Sequence, residues 1–325
     1  MKILVTGGTG FLGSALVRRL VKEGHAVRVL CRKSSNKKRL EGLSVEWVEG
    51  DLIDAPSVGR AVAGCEVVFH CGAVVSYWRK DHPKMWQTNV IGTKHVVEAC
   101  LKNKVRRLVH VSSILAIAEG KNGERVTERT PYNFAPYKIV YCDSKYQSEQ
   151  AVLRGVKKGL NAVIVNPGAI FGAGLGRGTG RLVFYVVSGG RFSVPGGIGA
   201  VHIDDVVQGM LAALEKGKTG ERYLLVGENL TYRELTQMAA HILEKKPPRQ
   251  KIPSVLLKVA AFFLDRICSP FGKAPPITPA MAQLSSMKLY FSNEKAKREL
   301  GMAFRPLQTA IREAIEWYRS EGILE

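Results

Sequence analysis

The segment Thr6-Gly7-Gly8-Thr9-Gly10-Phe11-Leu12-Gly13 constrains this chain more than any other. It follows a short β-branched run, Lys2–Thr6, that reads as a strand. It opens an amphipathic stretch, Phe11–Glu23, with Leu12, Leu16 and Leu20 on one helical face. Gly7, Gly10 and Gly13 stand in G-x-x-G-x-x-G spacing. Glycines at the first positions permit a tight turn and close backbone approach to a pyrophosphate, and the last lets the helix pack on the strand. The helix N-terminus then faces the negative charge. Strand, glycine turn and helix in that order predict a nucleotide site.

The alternation continues down the chain. Ala26–Cys31, Val45–Val48, Val67–His70, Leu108–Ser112 and Asn161–Asn166 read as strands. Ala55–Ala63, Met85–Lys102 and Lys138–Lys158 read as helices between them. This predicts the α/β class: a Rossmann doubly wound parallel sheet with helices on both faces. After Pro167 the texture changes to a glycine-rich stretch, which is loop chemistry around a site. Asp204–Lys216 is helical, Arg222–Val226 is a strand, and Thr231–Glu244 opens on a Thr-x-x-Glu capping box. Further helices are expected at 254–268, 279–287, 293–300 and 307–320. We expect a dinucleotide-binding domain over 1–166, with 200–216 returning to it, and a smaller, mostly helical substrate-binding region over 167–325.

Composition narrows the partners. Hydrophobic residues make up 46% and charged residues 23%, which excludes disordered, collagen-like and disulfide-scaffold classes. Lys and Arg number 48 against 28 Asp and Glu, a formal charge of +20 that points to an anionic partner. The basic runs Arg28–Arg39, Lys102–Arg107 and Lys245–Lys251 do not interleave aromatics as a single-strand binder would, so no nucleic acid is expected. Cysteines 31, 65, 71, 100, 142 and 268 form no C-x-x-C pair and have no histidine cluster. They read as plain thiols of a cytoplasmic protein, with no metal site. The first apolar run breaks at Gly7-Gly8, before a secretory h-region could form.

The apolar segment Ile252–Pro270 is too short to span a bilayer. It can be core, a wall over a hydrophobic substrate, or a peripheral membrane contact. Its flanks Lys245, Lys246, Arg249, Lys251 and Lys273 are basic, as an interfacial helix requires.

The second strand ends in Leu30-Cys31-Arg32-Lys33, and no Asp or Glu occurs from Arg28 to Leu40. An acidic residue here holds the ribose 2′-hydroxyl of NAD, whereas arginine accommodates a 2′-phosphate. Arg32 and Lys33 therefore favour NADP, with NAD as the alternative. Asp51, in Gly50-Asp51-Leu52, follows the third strand and can accept a hydrogen bond from an adenine amino group or serve at the start of the next helix.

Tyr141 and Lys145 stand at i and i+4 of a helical pattern and share a face. A nearby ammonium favours phenolate and lowers a phenol's pKa towards neutrality. The expected strand before them ends in Val111-Ser112-Ser113, which puts a hydroxyl at the carboxyl edge of the sheet, where ligands bind.

With these segments in view, the chain resembles the extended short-chain dehydrogenase/reductase family, of the NAD-dependent epimerase/dehydratase type. The matching segments are Thr6–Gly13, Gly50–Leu52, His70-Cys71-Gly72-Ala73, Asn89–Thr93, Val111–Ser113, Tyr141–Lys145, Asn166-Pro167-Gly168 and Val201–Val206. The chain is most similar to the dihydroflavonol 4-reductase-like and hopanoid-associated sugar epimerase-like branch, related to 3β-hydroxysteroid dehydrogenases.

The resemblance implies catalytic roles. Tyr141 is the acid/base, Lys145 its electrostatic and ribose partner, Ser113 rather than Ser112 the carbonyl orienter, and Asn89 a relay behind the lysine. It also implies that Cys71, Gly72 and Ala73 line the adenosine side of the cofactor and Pro167 and Gly168 the nicotinamide. Thr9, Phe11, Leu12 and Leu52 complete the expected cofactor contacts.

The expected activity is reduction of a ketone or aldehyde by hydride transfer. The rival is a nucleotide-sugar epimerase or dehydratase, with Arg177, Arg181 and Arg191 as diphosphate candidates, or a 3β-hydroxysteroid dehydrogenase-like enzyme using NAD. A non-catalytic RNA-binding or redox-sensing member is a third reading. The family suggests a monomer or a homodimer through the helices near 85–102 and 138–158.

Overall fold

The computed structural model describes residues 1–120, 123–175 and 177–324, without the side chains of 177–179 and 181. Six parallel strands alternate with helices: β1 (Lys2–Thr6), β2 (Ala26–Cys31), β3 (Glu46–Glu49), β4 (Val67–His70), β5 (Arg107–Val111) and β6 (Ala162–Pro167). Their order across the sheet is β3-β2-β1-β4-β5-β6, so the direction of winding reverses between β1 and β4. That reversal opens a crevice at the carboxyl ends of β1 and β4, the place where doubly wound sheets bind ligands.

Side-chain alternation explains why both sheet faces are covered. Ile3 and Val5 of β1, Val109 of β5 and Val163 and Val165 of β6 face one core layer, with Leu16, Val17, Val206 and Met210. Leu4, Leu108, Ala162 and Ile164 face the other, with Val58, Val96, Val97 and Val152. Strands buried on both faces are continuous apolar runs, as these are.

Three expectations are corrected. The strand Arg222–Leu225, expected in the substrate region, pairs in parallel with β6 and becomes the seventh strand of the main sheet. The second region also carries a small sheet in addition to its helices. Gly197–His202 is its centre, flanked by Glu228–Thr231 and Lys288–Leu289 and joined by Ala169–Phe171. The stretch Met85–Lys102 is also not one regular helix. A π-helical turn at Gln87–Ile91 separates the helices His82–Trp86 and Gly92–Lys102.

Candidate active site

The glycine turn sits at the reversal point. Gly7 has φ +68°, and a Cβ there would lie 2.7 Å from the Gly72 backbone, so the β1 and β4 turns touch through glycines. The Gly10 amide donates to the Gly7 carbonyl at 3.0 Å, and the helix Phe11–Lys22 starts at once. Gly13 is buried against the Gly7 carbonyl with no room for a side chain. Thr9, Phe11 and Leu12, all half-buried, stand between and beside these glycines in the turn and the first turn of the helix. The Thr6 hydroxyl accepts from the Gly72 amide at 3.2 Å and pairs with His70 at 2.7 Å, fixing the loop Cys71–Ala73 beside it.

Arg32 and Lys33 are exposed past the end of β2, and neither makes an ion pair among the described residues. Other members of that basic run have structural work. Arg28 is buried, donates to the Ala61 and Ala63 carbonyls at 2.7 Å and pairs with Glu46 at 2.8 Å. Arg39 donates to the Gly174 carbonyl at 2.7 Å and lies over Trp317, holding the loop after Ala169–Phe171 against Phe11. The run is therefore not a continuous basic stripe. Asp51 turns its carboxylate to the Ile53 amide at 3.3 Å, and Asp54, not Asp51, occupies the N-cap position of the helix Ala55–Val62. Leu52 is buried against Gly72, and Cys71 is half-buried.

The second group lies past the end of β5. Tyr141 stands in the first turn of the helix Val140–Lys157, and Lys145 follows one turn later on the same face. The Lys145 ammonium donates to the Val111 carbonyl at 2.8 Å. Ser113 leaves β5, hydrogen-bonds Tyr141, and caps the turn Ile114–Ala116 by accepting from the Leu115 amide at 3.2 Å. Ser112 turns the other way, towards Glu149. The structure thus puts Ser113 beside Tyr141, with Lys145 one turn further along the same helix.

The electrostatics differ from the sequence expectation. Burial pushes the Tyr141 phenol up to about 12, and the Ser113 hydrogen bond only partly offsets this. Burial pushes Lys145 down to about 8, against the pull of Glu149 and Cys71. Desolvation of the phenol outweighs any help from the ammonium, which is turned to a backbone carbonyl instead.

Asn89 is buried against Ser144, the residue before Lys145. Its amide accepts from the Val74 amide at 2.8 Å and donates to the Val74 carbonyl at 2.9 Å and to Ser144 at 3.1 Å. The π-helical turn aims it inward, where it pins the loop after β4 to the helix that carries Tyr141. Pro167 ends β6, and Gly168 abuts the Gly199 backbone, 2.5 Å from where its Cβ would stand. The segment Val201–Val206 does local work. His202 accepts from the Asp204 amide at 3.1 Å, and Asp205 accepts from the Arg305 amide at 2.7 Å.

Several residues were not singled out from the sequence. Glu149, fully buried one turn beyond Lys145, accepts from Asn166 at 2.6 Å and pairs with Arg222 at 2.8 Å. Its i+8 spacing from Tyr141 on one helix face was a usable signal. Tyr77 meets the Tyr141 ring edge-on at 5.5 Å. In front of Tyr141 opens a cavity of about 520 Å³ lined by Ser76, Tyr77, His82, Ile139, Val140, Phe262, Pro279, Ala280 and Gln283, among others. Arg191 is exposed and does not line it, and the Arg177 and Arg181 side chains lie outside the described residues.

Residues 3–226 match the model of the NAD dependent epimerase/dehydratase family. The chain belongs to that family. It is 34% identical to sterol demethylase protein B of Methylococcus capsulatus, over 100% of both chains. It is 31% identical to the 4-hydroxy-2-methyl-3-oxo-4-farnesyl-3,4-dihydroquinoline-1-oxide ketoreductase of Stigmatella aurantiaca, over 94% of this chain and 92% of that one. Among solved structures it resembles gox2253, with TM-score 0.87, 36% identity and 99% of both chains covered. The expected likeness to dihydroflavonol 4-reductases and 3β-hydroxysteroid dehydrogenases holds, since proteins named for both match nearly all of the chain. The family comprises NAD(P)-dependent oxidoreductases, epimerases and dehydratases, which makes this chain a member of an enzyme family.

Proposed function

We propose that the chain catalyses NADPH-dependent reduction of a ketone or aldehyde on a hydrophobic small molecule. The observation that carries this reading is Tyr141, hydrogen-bonded to Ser113, in the lining of a cavity where Tyr77, Ile139, Val140, Phe262, Pro279 and Ala280 form an apolar wall and Arg79, Lys138, Lys258 and Asp265 also contribute. The names of the two relatives, a sterol enzyme and a ketoreductase acting on a farnesyl-bearing quinoline, support the same substrate class.

The cradle fits a dinucleotide. The turns of Gly7, Gly10 and Gly13 would hold the pyrophosphate, Cys71, Gly72 and Ala73 the adenosine side, and Pro167 and Gly168 the nicotinamide. Arg32 and Lys33 would hold a 2′-phosphate. When bound, the cofactor supplies the hydrogen and two electrons that the carbonyl carbon gains.

The chain's own residues handle the oxygen. Ser113 and Tyr141 present two hydroxyl donors to one carbonyl oxygen, and Tyr141, a neutral phenol, releases its proton to it. Lys145 supplies positive charge one turn away, which favours the phenolate left behind. Tyr77, whose ring meets Tyr141 edge-on, covers one side of the phenol, and burial of the phenol strengthens these hydrogen bonds.

The test is NADPH consumption across a panel of alkyl, aryl and sterol ketones, with Tyr141→Phe as control. Turnover by the wild type and its loss in the variant support the reading. Tightly retained NAD with no net consumption would instead identify an epimerase.

A further inference from the structure

The helix Ser254–Cys268 is anchored by two buried side chains, Leu257 and Ala261, and leaves its other face uncovered. Val255, Leu256, Val259, Phe262, Phe263 and Ile267 are 47% to 67% exposed, and Phe271 just beyond is 77% exposed. They form one arc of the helix. An ordinary surface scatters such residues singly, whereas a contiguous apolar arc marks an interaction surface.

The charge around the arc selects the partner. Between residues 245 and 293 the chain has eight Lys and Arg residues and one acid, Asp265. Asp265 is itself engaged by Ser269 at 3.0 Å and by Arg79 at 3.8 Å. Lys251, Lys258, Arg266 and Lys273 are exposed along the helix and its flanks, and Arg266 lies over the Phe262 ring at 4.9 Å. Apolar side chains rimmed by basic heads that can reach outward suit an anionic lipid interface. A second copy docking by two-fold symmetry would bring this positive rim against itself, at a Coulombic cost.

One residue of the apolar arc joins this surface to the cavity. Phe262 is 49% exposed on the outer arc and also lines the cavity before Tyr141, next to Lys258 and Asp265. No described helix is long and apolar enough to cross a membrane, so the contact is with a surface. We propose that the exposed face of the helix Ser254–Cys268 lies on an anionic lipid surface, from which the cavity draws a membrane-dissolved substrate. The second clause rests on the reading of that cavity as the substrate site; the first does not.

The test is flotation of the full chain with vesicles of phosphatidylcholine alone and of phosphatidylcholine with phosphatidylglycerol, without cofactor or substrate. A Leu256→Glu/Phe263→Glu variant is run in parallel, since neither residue lines the cavity. NADPH binding by fluorescence checks that the variant is folded, and sedimentation gives the oligomeric state. The expected result is about tenfold enrichment of wild type on the anionic vesicles, weakened by salt and lost in the variant. A wild type that does not float, or a variant that floats equally, overturns the proposal. So does a wild-type dimer that fails to float and that the variant splits, which would assign the face to a second copy. Turnover of water-soluble ketones is read separately and bears only on the role of Tyr141. For the supply of substrate, the same ketone is offered in anionic vesicles. The variant should lose at least half of wild-type turnover there while keeping it on soluble ketones, and equal turnover in both formats overturns that clause.

Discussion

Glu149 and Arg222 form an ion pair at 2.8 Å that ties the helix bearing Tyr141 and Lys145 to the outermost strand of the main sheet. The carboxylate is fully buried, and burial raises its pKa against the pull of Arg222. Removing only the cation leaves a buried charge without its partner. Arg222→Met should therefore cost about 3–5 kcal/mol in urea unfolding. Adding Glu149→Leu should recover part of that loss, because the stranded charge goes too. An unchanged midpoint for Arg222→Met would show that the pair contributes nothing.

The pH profile follows from two buried groups. With its phenol at about 12, Tyr141 stays protonated and able to donate across the neutral range. Lys145, brought from 10.5 to about 8, loses its charge as pH rises through that value. The kcat/KM for carbonyl reduction should thus fall above about pH 8, since that ratio reports the free enzyme. In Lys145→Met the low residual activity should show no such inflection.

The same shifts fix the sign for stability. Between about 8 and 10.5 the folded chain binds fewer protons at Lys145 than the unfolded chain does, so this group's contribution rises with pH there. Between 10 and about 12 the folded chain holds the Tyr141 proton that the unfolded chain has lost, and that contribution falls. Urea unfolding of wild type and Tyr141→Phe should converge as pH rises through the upper window.

Cofactor choice is testable at the end of β2. Arg32→Asp/Lys33→Ser should raise KM for NADPH about ten- to hundredfold while lowering it for NADH, by loss of charge-assisted bonds to a 2′-phosphate. An unaltered NADPH to NADH ratio would remove both residues from the cofactor site.

Two glycines that touch should respond differently to alanine. At Gly7 the new Cβ meets the Gly72 backbone at 2.7 Å and φ is +68°, so neither partner can give way. At Gly72 it meets the Leu52 Cδ1 tip at 2.7 Å, which can rotate. Gly7→Ala should lose about 1–3 kcal/mol and cofactor binding, and Gly72→Ala much less of both. Thermal unfolding with and without NADPH compares them.

Local signals carried most of the first half of the chain. The strand periods, the glycine turn and the i, i+4 pairing of Tyr141 and Lys145 depend on near neighbours, and the structure keeps them. What escaped depends on residues far apart in sequence. Arg222–Leu225 reads as a strand in isolation, but only packing shows that it joins β6. Asn89 faces Val74 and Ser144 because of a single wide turn, which no apolar period records. The phenol of Tyr141 was expected to be lowered, yet burial raises it, and desolvation has no sequence mark. The apolar run at Ile252–Pro270 left core, cavity wall and surface open. Its exposed arc excludes simple core packing for most of its residues.

The proposed role of Tyr141 is to give its proton to a carbonyl oxygen in the cavity bounded by Tyr77 and Phe262. Its most direct test is the steady-state reduction of a hydrophobic ketone by NADPH, wild type against Tyr141→Phe, with cofactor affinity measured in both. The variant should lose about 10²–10⁴-fold in kcat at nearly unchanged NADPH affinity. Full turnover in Tyr141→Phe would contradict it.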